Sequence, residues 1–378
     1  MKRYIIFGAG RYGEEALFYY GIKNVAYFCD NIKYGSTIHG IEIVSFDKLM
    51  AIWKDYEIIL AVSKAMYRIE MERQLKKSGI EYQVFSSLEM KLAESNFDGE
   101  YEFIDRSQSK EKLLMVLSGY KEFLWNSIFS RVRKYASEDM DICVITAGYK
   151  NETLSHMCAL EGWSYLYTYE NKLSLTQNLA IRVHPNAKWI FKMDEDIFIT
   201  QGVFEELLDT YLLIEKNMQY IPGIVVPLMA VNSYGYRRIL EYVDKVADYN
   251  ERFGPAMFGA GNIFYNKDAA QYMWDITLPV DSFAERLKSI GLKYTICYHR
   301  FSIGCLLISR SMWAEMGGFK IGAEGGLGMD EEHLCKWCMN KARAIIVAER
   351  AYAGHFAYGP QTEWMKLLYQ SRRADFDS

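Results

Sequence analysis

The sequence lacks a long uninterrupted apolar run. Across its 378 residues no stretch approaches the roughly 20 apolar residues that a membrane-spanning helix needs. The opening MKRYIIFGAG reaches glycine after a short apolar run, and no small-residue cleavage site follows it, so we do not expect a secretory signal peptide. The expectation is a soluble, cytoplasmic protein, with peripheral association with a membrane left open.

An excess of positive charge is also lacking. The chain has 44 lysine and arginine residues against 48 aspartate and glutamate residues, for a formal charge of -4. The electrostatic attraction on which non-specific nucleic-acid binding depends is therefore missing, and nucleic acid is not expected as a partner.

Cysteine is scarce, and its number is odd. Seven cysteines are scattered along the chain, which favours a reducing compartment over a disulfide framework. Cys335 and Cys338 form one C-x-x-C pattern, but no second pair and no preceding strand accompanies it. We interpret these two residues as thiols that pack within a helix.

Short apolar runs alternate with helical segments over the first hundred residues. This alternation predicts a doubly wound α/β domain with a parallel sheet. From about residue 96 the chain is polar and then mixed helical, and a second series of strands and helices opens at DICVITAG. We therefore predict an α/β domain at 1–95, a helical linker at 96–139 and a second α/β domain at 140–378.

Three glycines near the start follow the pattern G-x-G-x-x-G. Gly8, Gly10 and Gly13 lie between a predicted strand and a predicted helix, where such spacing gives a tight turn and an open helix N-terminus for a phosphate. Asp30 ends the second predicted strand, near the expected position of a ribose-binding carboxylate. In the alternative interpretation the glycines only let the helix pack on the sheet, and Asp30 begins a turn.

The segments IIFGAGRYGEEAL, VAYFCDNIKYGSTIHGIEIVSFDKL and EIILAVS resemble a known module. It is the Rossmann-like domain appended to bacterial polysaccharide-biosynthesis enzymes, and the resemblance covers residues 1 to about 90. It implies a domain that binds a nucleotide-sugar at Gly8, Gly10, Gly13 and Asp30, or one that serves as an accessory module.

A second signal is the segment KWIFKMDEDIFIT, residues 188–200, which places three acids inside an apolar run. Buried unpaired charge is very costly, so a positive partner is expected. In an extended strand Asp194 and Asp196 share one face and Glu195 takes the other. Two carboxylates at a strand end suit Mg²⁺ or Mn²⁺ that also binds a substrate diphosphate. The alternative, an exposed acidic turn, is disfavoured by the apolar flanks.

This Asp-x-Asp arrangement resembles that of the GT-A glycosyltransferases, and the likeness covers residues 140 to about 358. Five segments follow in the family's order: DICVITAGYKNETL, LTQNLAIRVHPNAKWIFKMDEDIFI, SIGCLLISRSMWAEMGGF, GAEGGLGMDEEHLCKW and AYAGHF. The first implies a strand and loop that receive the donor nucleotide, at Thr146 and Ala147 together with Asp194.

The same resemblance implies the chemistry of the site. A metal ion, Mn²⁺ or Mg²⁺, would be held by Asp194, Asp196 and His355. The catalytic base would be Glu331 by the register of the acidic pair, or Asp330 after a shift of one residue. A glycine-rich loop would close over the donor and exclude water; its glycines are Gly317, Gly318, Gly322, Gly325, Gly326 and Gly328.

The sequence thus predicts an N-terminal Rossmann-like doubly wound domain followed by a GT-A α/β domain. The predicted activity is a metal-dependent glycosyltransferase of hexosyltransferase type. It would move a sugar, with UDP-sugars favoured, to a hydroxyl of a bacterial surface polysaccharide or glycolipid, with inversion. The alternative is an NAD(P)-dependent oxidoreductase or epimerase that acts on a nucleotide-sugar through the N-terminal glycines. Against it, no recognisable hydride-transfer machinery follows those glycines.

Overall fold

The structure is a computed structural model that describes residues 3–85, 99–259, 261–322 and 329–378. Gly325, Gly326 and Gly328 of the predicted glycine-rich loop lie outside the described residues. The chain divides into two compact units. The first holds the described residues of Met1–Phe97 together with Ser311–Gly318, and the second those of Asp98–Arg310 and Phe319–Ser378.

A six-stranded sheet forms the centre of the first unit. Its strand order is β3-β4-β2-β1-β5-β6, and all neighbours are parallel except β3 and β4. The strands are β1 Arg3–Phe7, β2 Val25–Cys29, β3 Thr37–Ile38, β4 Ile41–Val44, β5 Tyr56–Leu60 and β6 Tyr82–Val84. The helices are α1 Arg11–Tyr20, α2 Phe46–Ile52 and α3 Ala65–Lys77.

Both faces of this sheet are covered, because side chains alternate along each strand. In β1, Ile6 packs in a cluster with Ala16 and Leu17 of α1. Ile5 and Phe7 point to the opposite cluster, which contains residues of α2 and α3. The central strand is therefore apolar at successive positions, as expected for a doubly wound arrangement.

The second unit contains a ten-stranded mixed sheet. Its strands are β7 Tyr101–Ile104, β8 Lys112–Leu117, β9 Met140–Ala147, β10 Ser164–Thr168, β11 Trp189–Asp194, β12 Ile197–Ile199, β13 Ile221–Met229, β14 Thr295–Cys297, β15 Cys305–Ser309 and β16 Arg343–His355. The strand order is β12-β16-β13-β15-β11-β8-β9-β10-β7, and β14 pairs with β16.

Twelve further helices are described after the first three. They are α4 Trp125–Tyr135, α5 Glu152–Glu161, α6 Leu173–Val183, α7 Val203–Asn217, α8 Gly235–Tyr242, α9 Val246–Phe253, α10 Lys267–Thr277, α11 Val280–Ile290, α12 Arg310–Met316, α13 Met329–Asn340, α14 Thr362–Ser371 and α15 Arg373–Asp377. Of the described helices, none is both long and apolar enough to cross a membrane. The predicted α/β class is confirmed.

The range 96–139 differs from its prediction as a helical linker. It contains β7, β8 and α4, and β8 pairs in parallel with both β9 and β11. The run KLLMVL in β8 is buried on both faces, from Leu113 to Leu117. A short, fully buried strand shows no alternation, so periodicity alone cannot distinguish it from part of a helix. The segment DICVITAG was compared with the first strand of the second domain. In the structure it is part of β9, and β7 and β8 precede it in the same sheet.

All seven cysteines are buried free thiols. Cys335 and Cys338 lie on the buried side of α13, which agrees with the expected packing role. Burial raises the pKa of the Cys335 thiol to about 11, so this thiol is protonated near neutral pH.

The central place of β8 gives a test of the revised organisation. Leu114 is fully buried in β8, so we expect Leu114→Ala to lower the free energy of unfolding by about 2–5 kcal/mol. The measurement is urea unfolding followed by tryptophan fluorescence. Leu160→Ala, at a side chain that is 74% exposed, is the matched control and should change stability by no more than about 0.5 kcal/mol. An equal change in the free energy of unfolding for the two variants would contradict the placement of β8.

Candidate active site

The candidate site lies where the order of strands along the second sheet reverses. From β8 the chain continues to β9 and β10 on one side, whereas β11 pairs with the other side of β8. In open α/β sheets, ligands bind in the crevice beyond the carboxyl ends of the strands at such a switch point. Leu117 at the end of β8 pairs with Asp194 at the end of β11. The three acids are therefore at the position where a ligand is expected.

Glu195 joins the ends of these two strands. Its carboxylate accepts hydrogen bonds from the backbone amides of Gly119 (2.9 Å), Tyr120 (2.6 Å) and Lys121 (2.9 Å), and from the indole nitrogen of Trp125 (2.5 Å). Burial raises the pKa of Glu195, although these donors oppose the shift. Glu195 thus shapes the loop after β8 and is directed away from the crevice.

Asp196 lies between a lysine and a histidine. Its Oδ2 accepts a hydrogen bond from Lys121 Nζ and lies 3.7 Å from His355 Nε2. Burial would raise the pKa of Asp196, but the positive charge of Lys121, together with the effect of the neighbouring His355, outweighs it, and the pKa is lowered. Asp196 is consequently ionised at neutral pH.

The orientation of His355 is set by its other ring nitrogen. Nδ1 is hydrogen bonded to the carbonyl oxygen of Val231, which can only accept, so Nδ1 carries the proton. In the neutral ring, Nε2 then presents a lone pair towards Asp196. Metal-binding histidines are commonly held by such a bond from the second nitrogen.

Asp194 is paired with a lysine from its own strand. Lys192 Nζ lies 2.9 Å from Asp194 Oδ1 and also donates to the carbonyl oxygen of Ile303 at 2.9 Å. The Lys192 side chain is 3% exposed and that of Asp194 is 35% exposed, so only the aspartate faces the crevice. Loss of hydration raises the pKa of Asp194 to about 6 against the effect of Lys192, and the charge of Asp196 adds to the increase.

The backbone of this segment differs from the extended conformation from which Asp194 and Asp196 were predicted to share a face. β11 ends at Asp194, a turn holds Glu195 and Asp196, and β12 begins at Ile197. The turn is held by a hydrogen bond from the Glu195 amide to Leu117 and by one from the Phe356 amide to Asp196. Because Ile197 pairs with His355 across β12 and β16, the turn brings Asp196 to the histidine.

The predicted three-residue metal set is not assembled as such. Among the residues that the structure describes, no group of three or more His, Cys, Asp or Glu side chains is arranged to hold a metal ion. Asp196 and His355 face each other, whereas Asp194 is bonded to Lys192. An ionised carboxylate and an oriented imidazole nevertheless fit a divalent cation, since Mg²⁺ completes its shell with water and substrate phosphate oxygens.

The two candidate bases begin α13 and have different surroundings. Asp330 is 6% exposed and accepts a hydrogen bond from Gln177 Nε2 at 3.0 Å. Its charge contributes to the raised pKa of Asp194, so it lies close to the acidic turn. Glu331 is more exposed, at 17% of its side chain, and is paired with Arg300. The structure therefore brings both carboxylates to the same site, with Glu331 the more accessible.

Thr146 and Ala147 end β9, next to β8. Thr146 is fully buried, and its hydroxyl bonds to the carbonyl oxygen of Tyr149 at 2.8 Å and to the hydroxyl of Tyr165 at 2.7 Å. Ala147 is 4% exposed. Both lie at the expected edge of the sheet, but the Thr146 side chain supports its own loop. Their contact with a nucleotide stays a prediction.

In the first unit, the glycine motif has clear packing roles. A Cβ atom on Gly13 would lie 1.9 Å from the Gly8 carbonyl oxygen, and one on Gly8 would lie 2.4 Å from that of Ala61, whereas Gly10 has open space around it. Asp30 accepts hydrogen bonds from the amides of Ala9 (2.9 Å), Ile32 (2.9 Å) and Lys33 (3.0 Å). These contacts support the packing interpretation, and ligand binding there stays a prediction.

Of the predicted loop glycines that are described, Gly317 and Gly318 follow α12 with φ angles of 79° and 77°. This left-handed backbone is typical of a helix end and favours glycine. Gly322 is half-buried, and a Cβ atom there would lie 3.1 Å from Met329. Closure of this loop over a donor stays a prediction.

The two lysines that pair with Asp194 and Asp196 were not identified from the sequence. Lys192 lies two positions before Asp194 on the same strand, so alternation places both side chains on one face, and this signal was available. Lys121 follows β8, which was assigned to a linker, so its place beside Asp196 could not be anticipated. Gln177 and Arg300, the partners of the acidic pair, gave no local signal.

Comparisons with known proteins add little. No family model matches the chain, and no curated protein matches it. Among solved structures 61 chains match, including the mannosyltransferase PcManGT from Pyrobaculum calidifontis in complex with GDP-Man and Mn²⁺. That similarity has 12% identity and a TM-score of 0.39, and it covers 73% of this chain and 66%, just under two thirds, of that chain. At this level of similarity, the case for an activity rests on the residues of the site.

The role given to Glu195 can be tested by stability. Glu195→Ala leaves three partly buried backbone amides and a buried indole nitrogen without their acceptor, so we expect the free energy of unfolding to fall by about 3 kcal/mol or more. Glu152→Ala, at a side chain that is 77% exposed, is the control and should change it by less than about 0.5 kcal/mol. Hydrogen exchange should also accelerate at the amides of Gly119, Tyr120 and Lys121. Unchanged protection of those amides would contradict the assignment.

Proposed function

We propose that the second unit is a metal-dependent glycosyltransferase that moves a sugar from a nucleotide-sugar to a hydroxyl group of an acceptor. The observation that carries the proposal is the pairing of ionised Asp196 with oriented His355, beside partly exposed Asp194, at the switch point of the sheet. This arrangement combines oxygen and imidazole ligands with a crevice suited to a phosphorylated ligand. The likeness to GT-A motifs in the sequence points to the same chemistry.

The donor is proposed to bind with its nucleoside across the ends of β8 and β9 and its diphosphate towards Asp196. Asp196 and His355 would hold the metal, Mn²⁺ or Mg²⁺, which when bound neutralises charge on the leaving nucleoside diphosphate. Lys121 already places an ammonium group at Asp196, so positive charge is present where the diphosphate would lie. Asp194 faces the crevice and is available to the sugar or ribose hydroxyls. UDP-sugars are the favoured donors.

Glu331 is the proposed base, with Asp330 as the alternative. In one displacement, the carboxylate takes the proton of an acceptor hydroxyl as that oxygen bonds to the anomeric carbon and the bond from this carbon to the diphosphate breaks. Attack from the face opposite the leaving group inverts the anomeric configuration. Arg300 pairs with Glu331 and would orient its carboxylate towards the acceptor. Retained configuration in the product, determined by NMR, would contradict this mechanism.

The acceptor proposed from the sequence resemblance is a bacterial surface polysaccharide or glycolipid. The first unit then serves as an accessory module or binds a nucleotide-sugar of its own. Its packing contacts at Gly8, Gly13 and Asp30 are compatible with the accessory role.

Donor binding can be tested by thermal unfolding with UDP, GDP, CDP, dTDP and NAD, each with Mn²⁺ and each with chelator. We expect one nucleoside diphosphate to stabilise the protein only with Mn²⁺, because the diphosphate and Asp196 share the ion. A ligand at a hundred times its dissociation constant adds about 2.7 kcal/mol, which is measurable.

The Asp196→Asn variant should lose this stabilisation, whereas Asp209→Asn, at an exposed aspartate of α7, should keep it. Stabilisation by NAD alone, independent of metal, would instead favour the oxidoreductase or epimerase and would place the chemistry at the N-terminal glycines.

The base can be identified by comparing three variants of α13. Glu331→Gln removes the proton acceptor and should lower kcat by about 10² to 10⁴, while metal-dependent stabilisation by the nucleoside diphosphate persists. Glu332→Gln, at the next residue and paired with Lys336 on the surface, should retain turnover. If Asp330→Asn causes the larger loss of kcat with donor binding intact, the base is Asp330 and the assignment to Glu331 is wrong.

A further inference from the structure

A second concave region of the second unit is lined mainly by aromatic rings. We call it the aromatic groove; its volume is about 590 Å³, within the range of about 300 to 1,000 Å³ that is usual for ligand sites. Its walls come from the start of β13, the start of α8, the loop at Phe258 and the segment from Leu292 to His299. None of these residues belongs to the candidate active site described above.

Several rings of the groove are open to solvent. Tyr298 is 82% exposed, Tyr220 is 43% exposed and Phe258 is 41% exposed. Behind them Tyr234 is 7% exposed, and its ring centroid lies 5.0 Å from that of Phe258 and 5.9 Å from that of His299. Large exposed rings gathered at one concave place indicate a ligand that packs against their faces.

The charged groups beneath the rings are paired with each other. Fully buried Glu349 accepts hydrogen bonds from Arg238 Nε (2.8 Å) and Nη2 (2.9 Å) and from the Thr295 hydroxyl (2.6 Å). The Thr295 and Tyr234 hydroxyls lie 2.7 Å apart. Arg238 is held by two hydrogen bonds to Glu349, which makes the floor of the groove rigid. Its guanidinium group is therefore not free to bind an anion. The chemistry favours a neutral ligand over a phosphate or an anionic lipid headgroup.

A carbohydrate chain has the matching properties. A pyranose ring presents an apolar face of C–H groups, which packs on an aromatic ring, and a rim of hydroxyl groups, which needs hydrogen-bond partners. The groove offers ring faces together with the polar edges of Gln219, Tyr220 and Tyr298. This combination of apolar walls and a few polar groups is typical of specific ligand sites.

One loop connects the groove to the candidate base. His299 lines the groove, and the next residue, Arg300, pairs with Glu331. Further along, Ile303 donates its amide to Glu331 Oε2 at 3.3 Å and accepts from Lys192 at 2.9 Å. Gly304 accepts a hydrogen bond from the Asp194 amide at 2.8 Å. A chain bound in the groove would therefore lie beside the loop that positions the reacting groups.

From these observations we infer that the aromatic groove binds a neutral oligosaccharide, with Tyr298, Tyr220 and Phe258 stacking on successive sugar rings. Its role as the acceptor site for transfer rests on the proposed function; oligosaccharide binding itself does not. The acceptor is accordingly a carbohydrate chain of several residues, of which the bound part lies in the groove and one end reaches Glu331.

The test is isothermal titration of the full chain, without donor, with linear tetrasaccharides of glucose, mannose, galactose and N-acetylglucosamine. We expect at least one to bind, and we expect Tyr298→Ala and Tyr220→Ala each to weaken it about tenfold through loss of a stacking ring. Tyr265→Ala is the matched control, since Tyr265 is 70% exposed outside the groove, and should change the affinity less than about twofold.

Two further arms separate this inference from the proposed function. Asp196→Asn should abolish transfer but leave tetrasaccharide affinity unchanged. If the unsubstituted protein transfers no sugar but still binds a tetrasaccharide through Tyr298 and Tyr220, the proposed function is contradicted and the inference about the groove stands. Binding of no tetrasaccharide, or binding that is insensitive to Tyr298→Ala and Tyr220→Ala, overturns the inference. Tyr298-dependent binding to vesicles of phosphatidylcholine and phosphatidylglycerol, without tetrasaccharide binding, overturns it in favour of a membrane surface.

Discussion

The buried carboxylate of Glu195 is the contact on which the candidate site depends. It gathers three consecutive backbone amides and an indole N–H, all from the segment that follows β8, onto the end of β11. A carboxylate that accepts several hydrogen bonds can remain buried at an acceptable cost, whereas an unpaired one cannot. The same contact sets the path of the chain at Lys121, whose ammonium group reaches Asp196. The path of the loop and the charged site therefore depend on the same carboxylate.

Three adjacent acids acquire three different functions through their partners. Glu195 is structural, Asp196 is held ionised by Lys121 and His355, and Asp194 has a pKa raised to about 6 while it remains open to the crevice. Lys121 and Lys192 supply the positive charge that the apolar run required. Lys192 is buried beneath Asp194, whereas Lys121 is partly exposed beside Asp196.

The segment 298–304 relates the two functional regions of the second unit. Its first residues line the aromatic groove, its middle pairs with Glu331, and its last two contact Lys192 and Asp194. If a chain binds in the groove, this loop would hold it near the candidate carboxylates. Such preorganisation reduces the entropy that must be lost to reach the reactive arrangement. The first unit has a sheet and cores of its own.

Local patterns in the sequence were sufficient for the α/β class, for strands β1, β2 and β5 of the first unit and for the acids of the candidate site. Alternation and apolar runs indicate buried strands, so β1, β9 and β11 could be recognised. The three carboxylates within an apolar run indicated a charged site. The pattern failed at β8, where a strand buried on both faces carries no alternation. The pattern also predicted Asp194 and Asp196 on one face of an extended strand, whereas Asp194 ends β11 and Asp196 lies in the turn that follows.

The identity of each partner was decided by tertiary structure alone. The donors that hold Glu195 lie 70 to 76 residues away in the chain, and Gln177 lies 153 residues from Asp330. The aromatic groove likewise combines rings from segments that the chain separates widely. Periodicity records only whether a side chain is buried, whereas the neighbour it meets depends on strand order and on the path of each loop. The amino-acid sequence by itself thus determined which groups are charged and buried; the packed sheet decided which of them meet.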